Sequence, residues 1–149
     1  MKAKTLTVCC CLLLVMTLIL GWQYISVRED KDFLQKNIDG QFTYNLSSLN
    51  TNLFNRENID EVTISELDMN AEFCRSLFTC TSYSKNTSLQ NIMLSLAGMV
   101  PPDAEYEPIK DRKLIDDIGY LLQCLNEPDS KELAESVWDT MSKELQKQG

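Results

Sequence analysis

NAEFCRSLFTC, residues 70–80, and KDRKLIDDIGYLLQCL, residues 110–125, decide the fold. Turned by about 100° per residue, the first fragment and its approach put Leu67, Cys74, Leu77, Phe78 and Thr81 on one stripe, with Asn70 as N-cap. The second puts Leu114, Ile118, Leu121, Leu122 and Leu125 on another, closed by Cys124. Two cysteines therefore face inward from two amphipathic helices. A Cys74–Cys124 bridge would staple one helix pair of a small bundle. Cys80 lies about 240° round from Cys74, beside Met69 and Phe73, so Cys80–Cys124 is the second choice of pairing.

Working outward, the chain of 149 residues suits one domain once a targeting segment is set aside. Lys2 and Lys4 precede an apolar run from Leu6 to Leu20, and Gly21 offers a small residue for cleavage. That pattern predicts a signal peptide over residues 1–21 and a mature helical domain over residues 22–149. The alternative is an uncleaved type II anchor, with Trp22, Tyr24 and Ile25 extending the run to about 20 residues. Cys9, Cys10 and Cys11 leave with a cleaved leader; in an anchored chain they are candidates for palmitoylation. The mature part keeps Cys74, Cys80 and Cys124, an odd number for a secreted chain. Two sequons, Asn45-Leu46-Ser47 and Asn86-Thr87-Ser88, agree with export and make Asn45 and Asn86 candidate glycosylation sites.

The formal charge is −8, and loss of Lys2 and Lys4 with the leader would take it to −10. Such a surface repels phosphate backbones and anionic lipid, so no nucleic-acid partner is expected, and no membrane insertion after cleavage. The chain contains no histidine, which removes the commonest general base and metal ligand. No metal site and no cofactor are expected. The acidic pairs Asp116-Asp117 and Glu29-Asp30 read as solvated helix faces, because adjacent helical residues point about 100° apart. No catalytic residue is assigned.

Ser26-Val27-Arg28-Glu29 has the form of a capping box, opening a first helix with Leu34, Ile38 and Phe42 inside. Its end is ambiguous. If the helix breaks at Gly40, Phe42, Tyr44 and Leu46 alternate with Asn45, which then points to water. If it continues, Asn45 is buried and its sequon unusable. NTNLFNRENID, residues 50–60, reads as a long connection, and EVTISELD, residues 61–68, as a short extended crossing piece. A second helix spans about 68–82. A third, capped by Ser88, carries Leu89, Ile92, Met93 and Leu96 and stops at Gly98 before Pro101-Pro102. PPDAEYEP, residues 101–108, crosses back to the helix that ends at Cys124. After Pro128, Asp129 and Glu132 form an Asp variant of the capping box for the last helix, whose apolar face is Ala134, Val137, Trp138, Met141 and Leu145. Trp138, Met93, Met99 and Met141 read as core residues.

Lys110, Arg112 and Lys113 stand out in an acidic chain. One reading is solubility with local pairing to Asp111 and Asp116. The other is a contact with a carboxylate cluster on a partner. Glu29 and Asp32 are the converse candidates.

In the order of these features the chain resembles the short-chain four-helix cytokines, and most nearly the interleukin-4 and interleukin-13 group. AEFCRSL is similar to the start of that family's second helix and EVTISELD to its strand-like crossing segment. IKDRK is similar to the basic opening of its third helix. LIDDIGYLLQCLNEPDSKELAESVWDTMSKEL is similar to the third helix, cysteine, proline loop and fourth helix. The resemblance implies an all-α, up-up-down-down bundle with a short strand-like crossover, in which residues 68–100 form the second helix and its excursion. It implies a bond between Cys74 and Cys124, as between the matching cysteines of interleukin-4. It implies a monomeric secreted ligand that bridges class I cytokine receptor chains and triggers immune-cell signalling, with no catalysis. Carried over by position, the basic contact of the third helix falls on Lys113, beside Lys110 and Arg112. Acidic contacts on the first helix fall on Glu29 or Asp32, and Lys143 with Glu144 are the exposed candidates on the last. Two departures stand against the pattern: no cysteine between Leu46 and Glu72 offers Cys80 its family partner, and the chain is acidic where interleukin-4 is basic. The interleukin-2/15 and colony-stimulating-factor groups share much of the pattern. An exported or anchored helical carrier of an apolar ligand is the reading from another class.

Overall fold

Apolar residues at three- and four-residue spacing dominate the chain beyond residue 40, and the backbone takes the helical form this spacing requires. The computed structural model describes residues 2–54, 61–100 and 110–147. Its five helices are α1 (Lys2–Phe54), α2 (Glu61–Phe78), α3 (Thr87–Ala97), α4 (Arg112–Gln123) and α5 (Ser130–Gln146). Among the described residues there is no strand, so the protein is all-helical. Two compact units divide it, Met1–Asn37 and Ile38–Gly149.

In the first unit the chain is a helix whose side chains from residue 13 to 34 are all exposed. The capping box expected at Ser26 lies inside α1 and caps nothing, and Leu34, expected inside, is 59% exposed. Among the described residues no helix is long and apolar enough to cross a membrane.

In the second unit α1 continues through Gly40 without a break. Phe42, Leu46, Leu49 and Leu53 are buried at helical spacing, whereas Tyr44, the residue that a strand would have turned inward, is exposed. EVTISELD is helical too: residues 61–68 open α2, and the strand-like crossover is replaced by its first two turns. Ile64, Leu67, Ala71, Cys74 and Phe78 recur every three or four residues, and the last four are buried. The reason is that a helical stripe covers more apolar surface here than a four-residue alternation. Asn70, expected as a cap, therefore lies within α2, where its Nδ2 donates to Ser48 Oγ of α1 at 3.1 Å.

The α2–α3 turn is fastened at both ends. Asp39 of α1 accepts from the Ser82 backbone N–H (2.9 Å) and from Ser82 Oγ (2.7 Å), while the Tyr83 hydroxyl donates to Asn126 Oδ1 (2.9 Å). Phe78 and Tyr83 close over Phe42, with ring centroids 5.6 and 6.3 Å away. Asn86 rather than Ser88 caps α3, its Oδ1 accepting from Leu89 N at 3.0 Å. Leu89, Ile92, Met93 and Leu96 are buried, and Gly98 ends the helix with its N–H on Leu94 O. α2 packs on α3, α3 on α5, and α4 on α5, so the second and third helices are two packed elements rather than one rod. Residues 124–129 turn the chain back from α4 into α5, through N–H bonds from Glu127 to Cys124 O and from Ser130 to Glu127 O. A link this short makes α4 and α5 an antiparallel hairpin. The stripe Leu114, Ile118, Leu121, Leu122 and Leu125 is buried, as are Ala134, Val137 and Met141, with Trp138 and Leu145 packed against the core. Asp129 begins α5 without a side-chain cap, so the expected capping box is not formed. Residues 50–54 of the connection expected over 50–60 belong instead to α1, where Leu53 is buried, and residues 55–60 and the connection 101–108 lie outside the described residues.

Candidate functional site

The basic opening of α4 is built by one carboxylate. Asp111 takes the N-cap, its Oδ1 accepting from the Lys113 backbone N–H at 2.9 Å. This uses the side chain on the backbone, so Asp111 is not the ion-pair partner expected for its neighbours. Burial of Leu114 and Ile118 fixes the rotation of the helix, and Lys110, Arg112 and Lys113 are left exposed. The ion pairs among the described residues are Arg75–Glu72 and Lys147–Glu144, so Lys110, Arg112, Lys113 and Lys143 have no carboxylate partner there. Cations at a helix N-terminus also meet the positive end of the helix dipole, an unfavourable placement of some tenths of a kcal/mol each. The first turn of α4 contains no acidic residue to offset it. Folding alone therefore gives little reason for this turn to be basic.

The antiparallel hairpin carries Lys143, in the last turn of α5, to the same end as the opening of α4. Arg112 also borders an open cleft of about 460 Å³ along one face of α4, with Asp116, Ile115, Gly119, Tyr120 and Asn50 of α1. Asn50 is buried and donates through Nδ2 to Ile115 O at 3.0 Å, which holds α1 against α4. Its Oδ1 is buried with no hydrogen-bond partner among the described residues. Sequence reasoning missed this residue because Asn50 sits in a stretch read as a loop; its spacing of eight from Phe42 was the available signal. Glu29 and Asp32 are exposed on α1, within the Met1–Asn37 unit.

Cys74 and Cys124 are free thiols in this structure. Cys74 points into the core from α2, and its burial pushes the thiol up to about 12. Cys124 is the half-buried C-cap of α4, its N–H bonding to Tyr120 O and Leu121 O. A hydrogen bond to Cys124 and the charge near it raise the Tyr120 hydroxyl above its ordinary value. Both inward stripes pack into the apolar core. Cys80 is exposed beyond the end of α2.

The sequons part company. Asn45 is 7% exposed and donates through Nδ2 to Gln41 O at 2.7 Å, so the unbroken helix corrects the expectation of a glycan there. Asn86 is half-buried at the cap of α3. Among the described residues no cluster of three or more acidic or cysteine side chains is placed to hold a metal ion. Comparison with protein-family models, with curated proteins and with solved structures finds no match to this chain.

Proposed function

We propose that the chain is a secreted helical signalling ligand of the short-chain cytokine type, most like the interleukin-4 and interleukin-13 group, that binds and bridges class I cytokine receptor chains on immune cells. The observation that carries this reading is the exposed basic turn Lys110, Arg112 and Lys113, without carboxylate partners among the described residues, at a helix end that disfavours cations. Such a placement costs stability and is repaid when a partner supplies the carboxylates, because complementary charge speeds encounter and selects the partner. Lys143 at the same end extends the surface onto α5.

On this reading residues 1–21 are the leader, the ligand acts as a monomer, and the helices follow the up-up-down-down order. Glu29 and Asp32 then serve a second receptor contact. A bond between Cys74 and Cys124 would add a staple to a unit, Ile38–Gly149, whose core is already packed. The chain uses no catalytic residue or cofactor.

The test is surface binding of the exported product to a panel of class I cytokine receptor ectodomains, with phosphorylation of receptor-associated kinases in responding cells. Charge reversal by Arg112→Glu with Lys113→Glu should slow association at least about tenfold and flatten its salt dependence, with the melting temperature unchanged or raised. An exported product with intact Met1 would count against the leader. Absence of binding to every receptor chain at micromolar concentration would remove the ligand reading.

A further inference from the structure

Nothing about the two triplets distinguishes Asn45 from Asn86 as a glycan acceptor; their places in the fold do. We propose that the folded, exported protein carries its N-linked oligosaccharide on Asn86 alone, standing on the cap of α3 at the end of the helical unit away from the basic turn. The proposal rests on the export reading above, since the transfer takes place only in the secretory lumen.

At Asn86 the two ends of the side-chain amide have separate tasks. Oδ1 accepts from Leu89 N at 3.0 Å, and no hydrogen bond among the described residues engages Nδ2. The backbone is held independently, with Asn86 N–H on Tyr83 O and Gln90 N–H on Asn86 O. In the transfer, Asn86 Nδ2 attacks C1 of the first sugar of a polyprenyl-diphosphate-linked oligosaccharide. The C1–O bond to the diphosphate breaks, the lipid diphosphate leaves with the electron pair, and Nδ2 gives up one proton. The product keeps Oδ1 and hence the cap.

Asn45 cannot be treated this way. Its Nδ2 is turned back onto Gln41 O, and the flanking Leu46 is fully buried. An oligosaccharide at this point would force the fully buried Phe42, Leu46 and Leu49 off the core. Because transfer precedes folding, a chain modified at Asn45 fails to complete the unit and is retained instead of exported.

Position then gives the glycan a consequence. The Tyr83–Asn126 bond ties the turn leading to Asn86 to the α4–α5 link, at the C-terminal end of α4. The basic turn is at the N-terminal end of α4, about 18 Å away along a 12-residue helix. The oligosaccharide therefore covers the end opposite Lys113 and leaves the receptor surface clear.

The experiment translates the full chain with secretory microsomes and, in parallel, collects the product exported by mammalian cells, reading endoglycosidase-sensitive mass. The exported product is expected to carry one oligosaccharide, whereas microsomal chains, modified before they fold, report translocation and the use of Asn86. Ser88→Ala and Asn86→Asp should each abolish it, the latter keeping the cap oxygen; Ser88→Thr should retain it, and Ser47→Ala should change nothing. Receptor association of the Ser88→Ala product should match that of the parent. An exported product whose oligosaccharide is lost in Ser47→Ala, or a translocated chain bare at Asn86, overturns the proposal while leaving the export reading intact. A chain that stays outside the microsomes overturns both.

Discussion

Residues 13–34 and residues 42–53 belong to the same helix, α1, and between them composition and burial are inverted. The first stretch is rich in Leu, Val, Ile, Trp and Phe, yet Trp22 and Phe33 are 79% and 66% exposed. The second is mostly Thr, Ser and Asn, yet it buries Phe42, Leu46, Leu49 and Leu53. Thr, Ser and Asn each cost roughly 0.5 kcal/mol of helix propensity relative to Ala. Four large apolar side chains regain about 1.5–3 kcal/mol each when covered. Covering therefore outweighs propensity in the second stretch, and in the first the apolar side chains find no cover within their own unit.

The largest expected effect sharpens that contrast. Phe42→Ala opens a cavity beneath Phe78 and Tyr83 and should lower unfolding free energy by about 3–5 kcal/mol in urea titration. Phe33→Ala should change it by less than about 0.5 kcal/mol. Comparable losses at both positions would mean that the first stretch is covered by a partner in the folded protein.

A second test sets the inside of α2 against a bridge. Burial raises the Cys74 thiol from 9.0 to about 12, so the folded state holds this proton more tightly than the unfolded state does. The resulting stability is complete below pH 9 and is lost as pH rises from 9 toward 12. Tyr83, raised chiefly by burial and then by Asp39, adds a loss of the same sign at higher pH. Urea midpoints measured between pH 7 and 10.5 should fall, and Cys74→Ala should remove the first part of the fall. Cys74 should also resist alkylation in the native state while Cys124 reacts. A Cys74–Cys124 bridge predicts neither result, since it leaves no thiol to titrate or alkylate.

Both outcomes show what the sequence could and could not reveal. The stripes of α3, α4 and α5 were legible because each is long, periodic and flanked by stops such as Gly98 and Pro128. The first half was misread wherever a short local signal competed with a longer one. Ser26-Val27-Arg28-Glu29 matches a capping box but lies inside an unbroken helix, and Gly40 stops nothing. Val62 and Ile64 alternate over four residues, while Ile64, Leu67, Ala71 and Cys74 continue a helical spacing into the part already read as helix. In the site, the basic turn was visible, but the double duty of Asp111 was not. A carboxylate beside three cations looks like their counter-ion until the backbone N–H of Lys113 is seen to claim it.

The α2–α3 turn offers an effect of intermediate size. Asp39→Ala removes two acceptor contacts to Ser82 at an exposed site, so about 1 kcal/mol is expected, with faster hydrogen exchange confined to residues 79–86. Unchanged exchange there would mean that packing of Tyr83 on Phe42 holds the turn without Asp39.

The smallest effect separates two helix starts that look alike in sequence. Asp111 and Asp129 both precede a helix, but only Asp111 turns its carboxylate onto a backbone N–H, and Asp129 has φ −87° and ψ 2° with no side-chain cap bond. Asp111→Ala should cost about 1 kcal/mol, since it deprives α4 of its cap and leaves the cations of the first turn facing the helix dipole unscreened. Asp129→Ala should cost only a few tenths of a kcal/mol, from the loss of a negative charge near the start of α5, where Glu132 remains. Equal losses in thermal melts of the two variants would show that Asp129 caps α5 in solution. A larger loss at Asp111 in low salt that shrinks in high salt would identify the unscreened cations, and not the lost hydrogen bond, as the main cost.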